Sequence, residues 1–358
     1  MKQHPVTAAR LTEPELDQIR TLIENRSAIL FDSSRERFFS TRVREFLEEK
    51  GLASGGELLA MVRGSSVEYE ALLETLLTQE TSFFRYPAVY QALEAKILPN
   101  VQERKFWQNP RTLRIWSAGC STGEEPYSIA ITVSEALKFA EAWEIEILAT
   151  DISRRALRHA ERGVYPKRSL QEVSLGQVEN YFTETKHGFQ VKPRIRRMIS
   201  FVQMNLIESV YVGKIDCIFC MNVLMYFSEE CRLAILRRFY EALEPGGYFL
   251  LGHAETLTNA PVKFEPVVLG DCRIYRKPGL VAARRAPALV EGALRTGPIK
   301  NRSNCSSRRL PTTSSTCGNT PGFCRSLRPS RRTLKSSTSL HTRWRGRRRV
   351  TASRTFPK

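Results

Sequence analysis

No stretch of this 358-residue sequence reaches the roughly 18–20 uninterrupted apolar residues that a membrane span requires, so no transmembrane helix is expected. A secretory leader is also missing, because Met1-Lys2-Gln3-His4-Pro5 runs straight into polar sequence. The spacing of a disulfide framework is absent too. Cys120, Cys217, Cys220, Cys231 and Cys272 lie within apolar or helical sequence, as expected in a reducing cytoplasm. Cys217-Ile-Phe-Cys220 has the form C-x-x-C, but it sits in a strand-like run with no second ligand pair nearby. It reads as buried thiols rather than a metal or redox site. No 34-residue helical repeat is visible.

Net charge is missing from most of the chain. Residues 279–358 hold 19 Lys and Arg against one acid, Glu291, which accounts for the whole formal charge of +18. Residues 1–278 therefore balance 36 basic against 36 acidic side chains, so no nucleic-acid partner is expected for this part. The terminal segment is rich in Arg, Ser, Thr and Pro, without periodicity, and reads as a disordered tail. Its run Arg343-Trp-Arg-Gly-Arg-Arg-Arg349 either binds nucleic acid or another anionic surface, or belongs to a non-native extension.

What is present falls into two further parts. Residues 1–95 read as a helical domain. Thr12-Glu-Pro-Glu15 forms a capping box, followed by the stripe Leu16, Ile19, Leu22 and Ile23. A second helix from about Ser34 carries Phe38, Phe39, Val43, Phe46 and Leu47 and stops at Gly51. A third is capped by Ser65-Ser-Val-Glu68 and presents Leu72, Leu73, Leu76 and Leu77.

Residues 96–278 alternate strands with helices, the pattern of a parallel sheet covered on both faces. Strands are predicted at 112–117, 144–150, 199–203, 215–220 and 247–251, with a closing antiparallel pair at 263–269 and 272–276. Helices are predicted at 125–139, 153–162 and 228–243, and a β-hairpin insertion at about 181–200, turning near His187-Gly188.

Ligands of open α/β sheets bind at the carboxyl ends of the strands, so the residues there carry the chemistry. After the first strand comes Ala118-Gly-Cys-Ser-Thr-Gly123, small residues that let a ligand approach the backbone. This is not the G-x-G-x-x-G of a dinucleotide site. Glu124 and Glu125 open the next helix and would repel a pyrophosphate, whereas a sulfonium with an ammonium suits them. Asp151 ends the second strand. It either accepts ribose hydroxyls or caps the following helix, and Ser153 already fills the second role. Asn205 and Asn222 follow the third and fourth strands, where an amide either reads a ligand or closes a turn.

Five segments in order resemble the chemotaxis receptor methyltransferases, the CheR family. They are Thr81-Ser-Phe-Phe-Arg85, Trp116-Ser-Ala-Gly-Cys-Ser-Thr-Gly-Glu-Glu-Pro-Tyr-Ser-Ile-Ala130, Ala149-Thr-Asp-Ile-Ser153, Ile218-Phe-Cys-Met-Asn-Val-Leu-Met-Tyr-Phe227 and Gly247-Tyr-Phe-Leu-Leu-Gly-His-Ala-Glu255. The resemblance spans about residues 12–277. It implies an α/β fold: a class I methyltransferase (Rossmann-like) domain with an N-terminal helical domain and a small inserted β-subdomain. It further implies transfer of a methyl group from S-adenosyl-L-methionine to glutamates in the cytoplasmic domain of methyl-accepting chemotaxis receptors. Carried over residue by residue, Gln79, Thr81, Arg85, Gly119, Glu125, Asp151, Asn205, Leu206, Asn222 and Val223 would bind the cofactor. Arg85 and Tyr226 would lie nearest the transferred methyl, and no metal is implied.

Four departures stand out. Gln79 and Met221 replace an Asn and an Arg frequent in relatives. On the second helix, Glu45, Glu48 and Glu49 dilute Arg35, Arg37, Arg42 and Arg44, so the face is either receptor-docking or merely solvated. The hairpin looks short, which suggests action without a receptor tethering peptide. Two rival readings remain: a cofactor-binding adaptor without activity, and a nucleic-acid methyltransferase, for which an Asn-Pro-Pro-Tyr-like motif is lacking.

Overall fold

A computed structural model describes residues 11–208, 212–253, 255–257, 260–270 and 272–279. The basic segment beyond them, on which the sequence reading of a disordered tail falls, lies outside the described residues. Four helices come first among the described residues: α1 (Glu13–Ser27), α2 (Glu36–Glu49), α3 (Gly55–Gly64) and α4 (Ser66–Leu76). The capping box of α1 is formed as its sequence predicts, with Glu15 accepting from both the N–H and the hydroxyl of Thr12. Helix α3 was not anticipated, since the run Gly55-Gly56 that opens it is a weak helix former. Ser54 starts it regardless, its hydroxyl accepting from the Glu57 N–H.

These four helices enclose one apolar core that includes Leu16, Ile19, Phe39, Leu58 and Leu72. Phe83 and Phe84 instead belong to the core under the sheet, together with α5 (Pro87–Ala92) and α6 (Leu98–Arg104), which a wider helical turn at Leu93–Ile97 connects. We therefore propose that the domain division falls near residue 78 rather than at 95.

The remaining elements are β1 (Arg111–Ala118), α7 (Glu124–Ala136), β2 (Trp143–Asp151), α8 (Arg154–Arg162), β3 (Val164–Tyr165), α9 (Leu175–Tyr181), β4 (Phe182–Thr185), β5 (Gly188–Val191), α10 (Pro193–Arg196), β6 (Ile199–Gln203), β7 (Ile215–Cys220), α11 (Glu229–Ala242), β8 (Leu243–Leu251), β9 (Glu265–Leu269) and β10 (Cys272–Arg276). Seven strands form one sheet in the order β6-β2-β1-β7-β8-β10-β9. Its first five are parallel, and β10 runs antiparallel to both β8 and β9. β7 is buried along its whole length, as a central parallel strand must be when helices cover both faces. The predicted hairpin is confined to β4 and β5, because Pro193 starts a helical turn after Lys192 and Ile199 already belongs to the main sheet. β3 joins that hairpin to make a three-stranded insertion that the sequence did not signal.

The amino ends of the strands are fastened by a buried charge cluster. The Lys105 ammonium donates to Asp216 Oδ2 (2.6 Å) and to the Thr112 carbonyl (2.7 Å), while the Arg114 N–H donates to the same carboxylate oxygen (2.9 Å). Asp216 is fully buried and Lys105 nearly so. Among the described residues, no helix is long and apolar enough to cross a membrane.

Candidate active site

The carboxyl ends of β1, β2, β6 and β7 open into one cavity of about 280 Å³. Gly119 leaves β1 with φ +80°, and its N–H and that of Cys120 donate to the Thr150 carbonyl. A Cβ at position 119 would stand 2.4 Å from Val223 Cγ2, so only glycine lets the β1 and β7 loops come this close. In the first turn of α7, Glu125 accepts a 2.6 Å hydrogen bond from the Ser117 hydroxyl and lines the cavity. Glu124 turns away to the Thr122 hydroxyl, so of the two acids expected at a cationic ligand only Glu125 faces the cavity.

Burial pushes the Glu125 carboxyl up to about 7, against the opposing effects of the Ser117 hydroxyl and the Arg85 guanidinium. Because this lies above the ordinary value of 4.5, protonation stabilises the ligand-free fold. That contribution is fully present below about pH 4.5 and is lost as the pH rises through 7.

Asp151 ends β2. Its Oδ2 accepts from the Ser121 N–H and its Oδ1 from the Ser153 N–H, both at 2.8 Å. Each oxygen keeps a lone pair for a ligand hydroxyl. Burial raises this carboxyl, and the two N–H groups oppose the rise. The Ser153 hydroxyl caps α8 by accepting from the Ala156 N–H, which leaves Asp151 free of that duty.

The segment after α4 supplies another wall. Gln79 donates to the Ser153 hydroxyl (3.1 Å), and Thr81 and Arg85 line the cavity beside it. Phe84 and Tyr86 both adopt left-handed backbone (φ 50° and 63°), and the Phe84 N–H donates to the Ser128 hydroxyl. The two unusual residues fix the direction of Arg85 between them. Its guanidinium packs over the Tyr86 ring and donates to the Glu80 carbonyl.

β6 delivers Asn205 and Leu206. The Asn205 amide donates to the Arg26 carbonyl at the end of α1 (3.2 Å), tying this wall to the helical domain. β7 delivers Asn222, Val223 and Tyr226. Asn222 has φ +60°, and its N–H donates to Glu255 Oε2 (2.8 Å). The Tyr226 carbonyl accepts from the Leu30 N–H (2.8 Å), and the Arg35 guanidinium lies 5.0 Å from the centre of its ring. Arg42, further along α2, pairs with Glu45 instead.

All eleven residues singled out in the sequence thus line a single cavity. Four contributors were missed. Glu255 closes the last of the quoted segments, and its carboxylate accepts from the N–H groups of Asn222, Met225 and Gly252. Glu74 on α4 accepts from the Arg155 N–H and the Ser153 hydroxyl, but looks in sequence like any exposed helix acid. Ser121 and Tyr90 also line the cavity, and neither is distinguished in sequence from a loop serine or a helix aromatic.

The polar inventory fits a nucleoside with an amino-acid end. Among the buried side-chain atoms without a hydrogen-bond partner are Tyr90 Oη, Ser121 Oγ and Asn222 Oδ1, all from residues of the cavity wall. No cluster of side chains suited to a metal occurs among the described residues. Cys217 and Cys220 are buried strand thiols, pushed up by burial, as their place in a strand-like run suggested.

A sheet of this order, with an acid after each of its first two strands, defines a class I S-adenosylmethionine-dependent methyltransferase. The chain belongs to the CheR family: it matches the CheR methyltransferase SAM-binding domain over residues 79–270 and the CheR all-alpha domain over residues 14–77. It is 33% identical over 269 residues to chemotaxis protein methyltransferase 1 of Pseudomonas aeruginosa, covering 73% of this chain and 97% of that one. Its identity to a chemotaxis protein methyltransferase of Vibrio parahaemolyticus is 34% over 278 residues, covering 76% and 99%. A Borreliella burgdorferi protein of the same name is 31% identical over 253 residues, covering 69% and 89%.

Proposed function

We propose that the chain acts in the cytoplasm and methylates glutamate side chains of chemoreceptor cytoplasmic domains, forming methyl esters. The observation that carries this reading is the character of the cavity wall. Among the described residues it presents one guanidinium, Arg85, and two phenols, Tyr90 and Tyr226, but no His or Lys. A carboxylate is already ionised at neutral pH, so its methylation needs a guiding cation and alignment rather than a strong base. When bound, S-adenosylmethionine supplies an electrophilic methyl group. Glu125 would receive the ammonium, Asp151 the ribose hydroxyls, and the Asn205 to Leu206 segment with Gly119, Asn222 and Val223 the rest of the nucleoside side. Gln79 and Thr81 would border it from the segment after α4. Arg85 draws in the acceptor carboxylate with a charge-assisted bond, and Tyr226 steers its oxygen.

The test is labelled S-adenosylmethionine with a receptor cytoplasmic fragment, followed by alkali. Esters release methanol, methylated bases do not, and an adaptor transfers nothing. Arg85→Ala is expected to lower kcat/KM about a hundredfold and Tyr226→Phe about tenfold. Normal turnover by both variants would remove these role assignments.

Cofactor binding should also follow Glu125. Only its ionised form suits an ammonium, so binding draws a proton off the carboxyl and strengthens as the pH rises through about 7. Between pH 8 and pH 6 the dissociation constant for S-adenosylhomocysteine should rise about tenfold in calorimetry. A flat profile would show that Glu125 does not take the ammonium.

A further inference from the structure

We propose that the Tyr90 hydroxyl is a cofactor contact of this enzyme, donating to the carboxylate of the bound amino-acid end while Glu125 takes its ammonium. The inference rests on the reading of Glu125 given above.

Tyr90 sits on α5, 5% exposed, and lines the cavity. Its ring is held edge-on by Phe84, with centroids 5.2 Å apart, and lies nearly parallel to Phe219 at 6.4 Å. With the ring fixed between these neighbours, the direction of the hydroxyl is fixed as well. That hydroxyl is buried and has no hydrogen-bond partner among the described residues. The Ser128 hydroxyl lies beside it and keeps one lone pair after donating to the Glu124 carbonyl and accepting from the Phe84 N–H. Yet it forms no hydrogen bond of good geometry with the phenol in the ligand-free fold. A phenylalanine would pack the same way and leave no buried polar atom wanting, so the hydroxyl destabilises the empty fold. A ligand acceptor in the cavity would lift that penalty.

The neighbourhood selects which acceptor. Burial above all, and then the Glu125 carboxylate, against the opposing effect of the Ser128 hydroxyl, hold the phenol protonated, well above its usual range, so it acts as a donor. A donor next to an acid that receives an ammonium is suited to the carboxylate on the same carbon. Tyr90 would thereby recognise the zwitterionic end of the cofactor, not its nucleoside.

The experiment compares wild type, Tyr90→Phe and Glu125→Gln, each as the full chain, by calorimetry with two probes. S-adenosylhomocysteine carries the amino-acid end, and methylthioadenosine lacks it. Tyr90→Phe should weaken S-adenosylhomocysteine about tenfold and leave methylthioadenosine unchanged. Its ligand-free Tm should hold or rise. Unchanged affinity for both probes, equal loss for both, or a Tm lower by several degrees would each overturn the proposal, the last two by showing that the hydroxyl has a structural partner. Glu125→Gln tests the underlying reading separately. If it binds S-adenosylhomocysteine like wild type, the ammonium assignment fails whatever Tyr90→Phe does. If it loses that probe while Tyr90→Phe does not, the Tyr90 contact alone is wrong.

Discussion

Asp151→Asn is expected to weaken S-adenosylhomocysteine binding on the order of a hundredfold, because two hydrogen bonds to a charged acceptor are replaced by at most one to a neutral amide. The change is more damaging than its size suggests. Both carboxylate oxygens already accept backbone N–H groups, from Ser121 on one side and Ser153 on the other. An amide must turn its NH2 toward one of these donors, which pushes either the β1 loop or the start of α8 out of place. Isothermal calorimetry reads the result directly, with circular dichroism to confirm the fold. A dissociation constant within threefold of wild type would show that Asp151 serves only the two loops and not the ribose.

Lys105→Met should have the largest effect on stability while sparing the cavity. It leaves the fully buried Asp216 carboxylate without its main counter-charge, a change that costs about 3–5 kcal/mol. For a domain of this size the expected fall in Tm is on the order of 10 °C. Arg104 also donates to Asp216 Oδ1, but at 3.4 Å and from a more exposed side chain it offsets only part of the lost ammonium. The cluster sits at the amino ends of the strands and the cofactor cavity at their carboxyl ends, so affinity for S-adenosylhomocysteine at 20 °C should remain near wild type. A Tm shift below 2 °C would mean that Asp216 finds compensation elsewhere.

The sheet was legible because parallel strands buried on both faces read as short apolar runs, and β6, β7 and β10 have the bounds their sequence predicts. The strand-end residues were legible for a related reason. A polar side chain directly after such a run has few purely structural uses, so Asp151 and Asn222 stand out. The missed features depend on partners far away in the chain. Strand β3 is two residues long and exists only through its pairing with β5. Helix α3 begins with two glycines and is held by Glu15 of α1, which accepts from the Gly56 N–H. Glu74 acquires its place by reaching α8 across 81 residues of sequence, and Tyr90 by an orientation that its own helix does not reveal. Local patterns record burial and caps, but not which distant group a side chain will meet.

The four opening helices are fastened to the cavity at three points: Arg26 to Asn205, Leu30 to Tyr226, and Glu74 to the start of α8. Each seam ends on a loop that carries a residue for the cofactor or the methyl group. A minimal enzyme cut at residue 78 would therefore keep an intact sheet and still lack the scaffolding of three of its four binding loops. The helical domain thus braces the loops of the cofactor cavity, and exchanging it for a relative's is expected to change cofactor affinity.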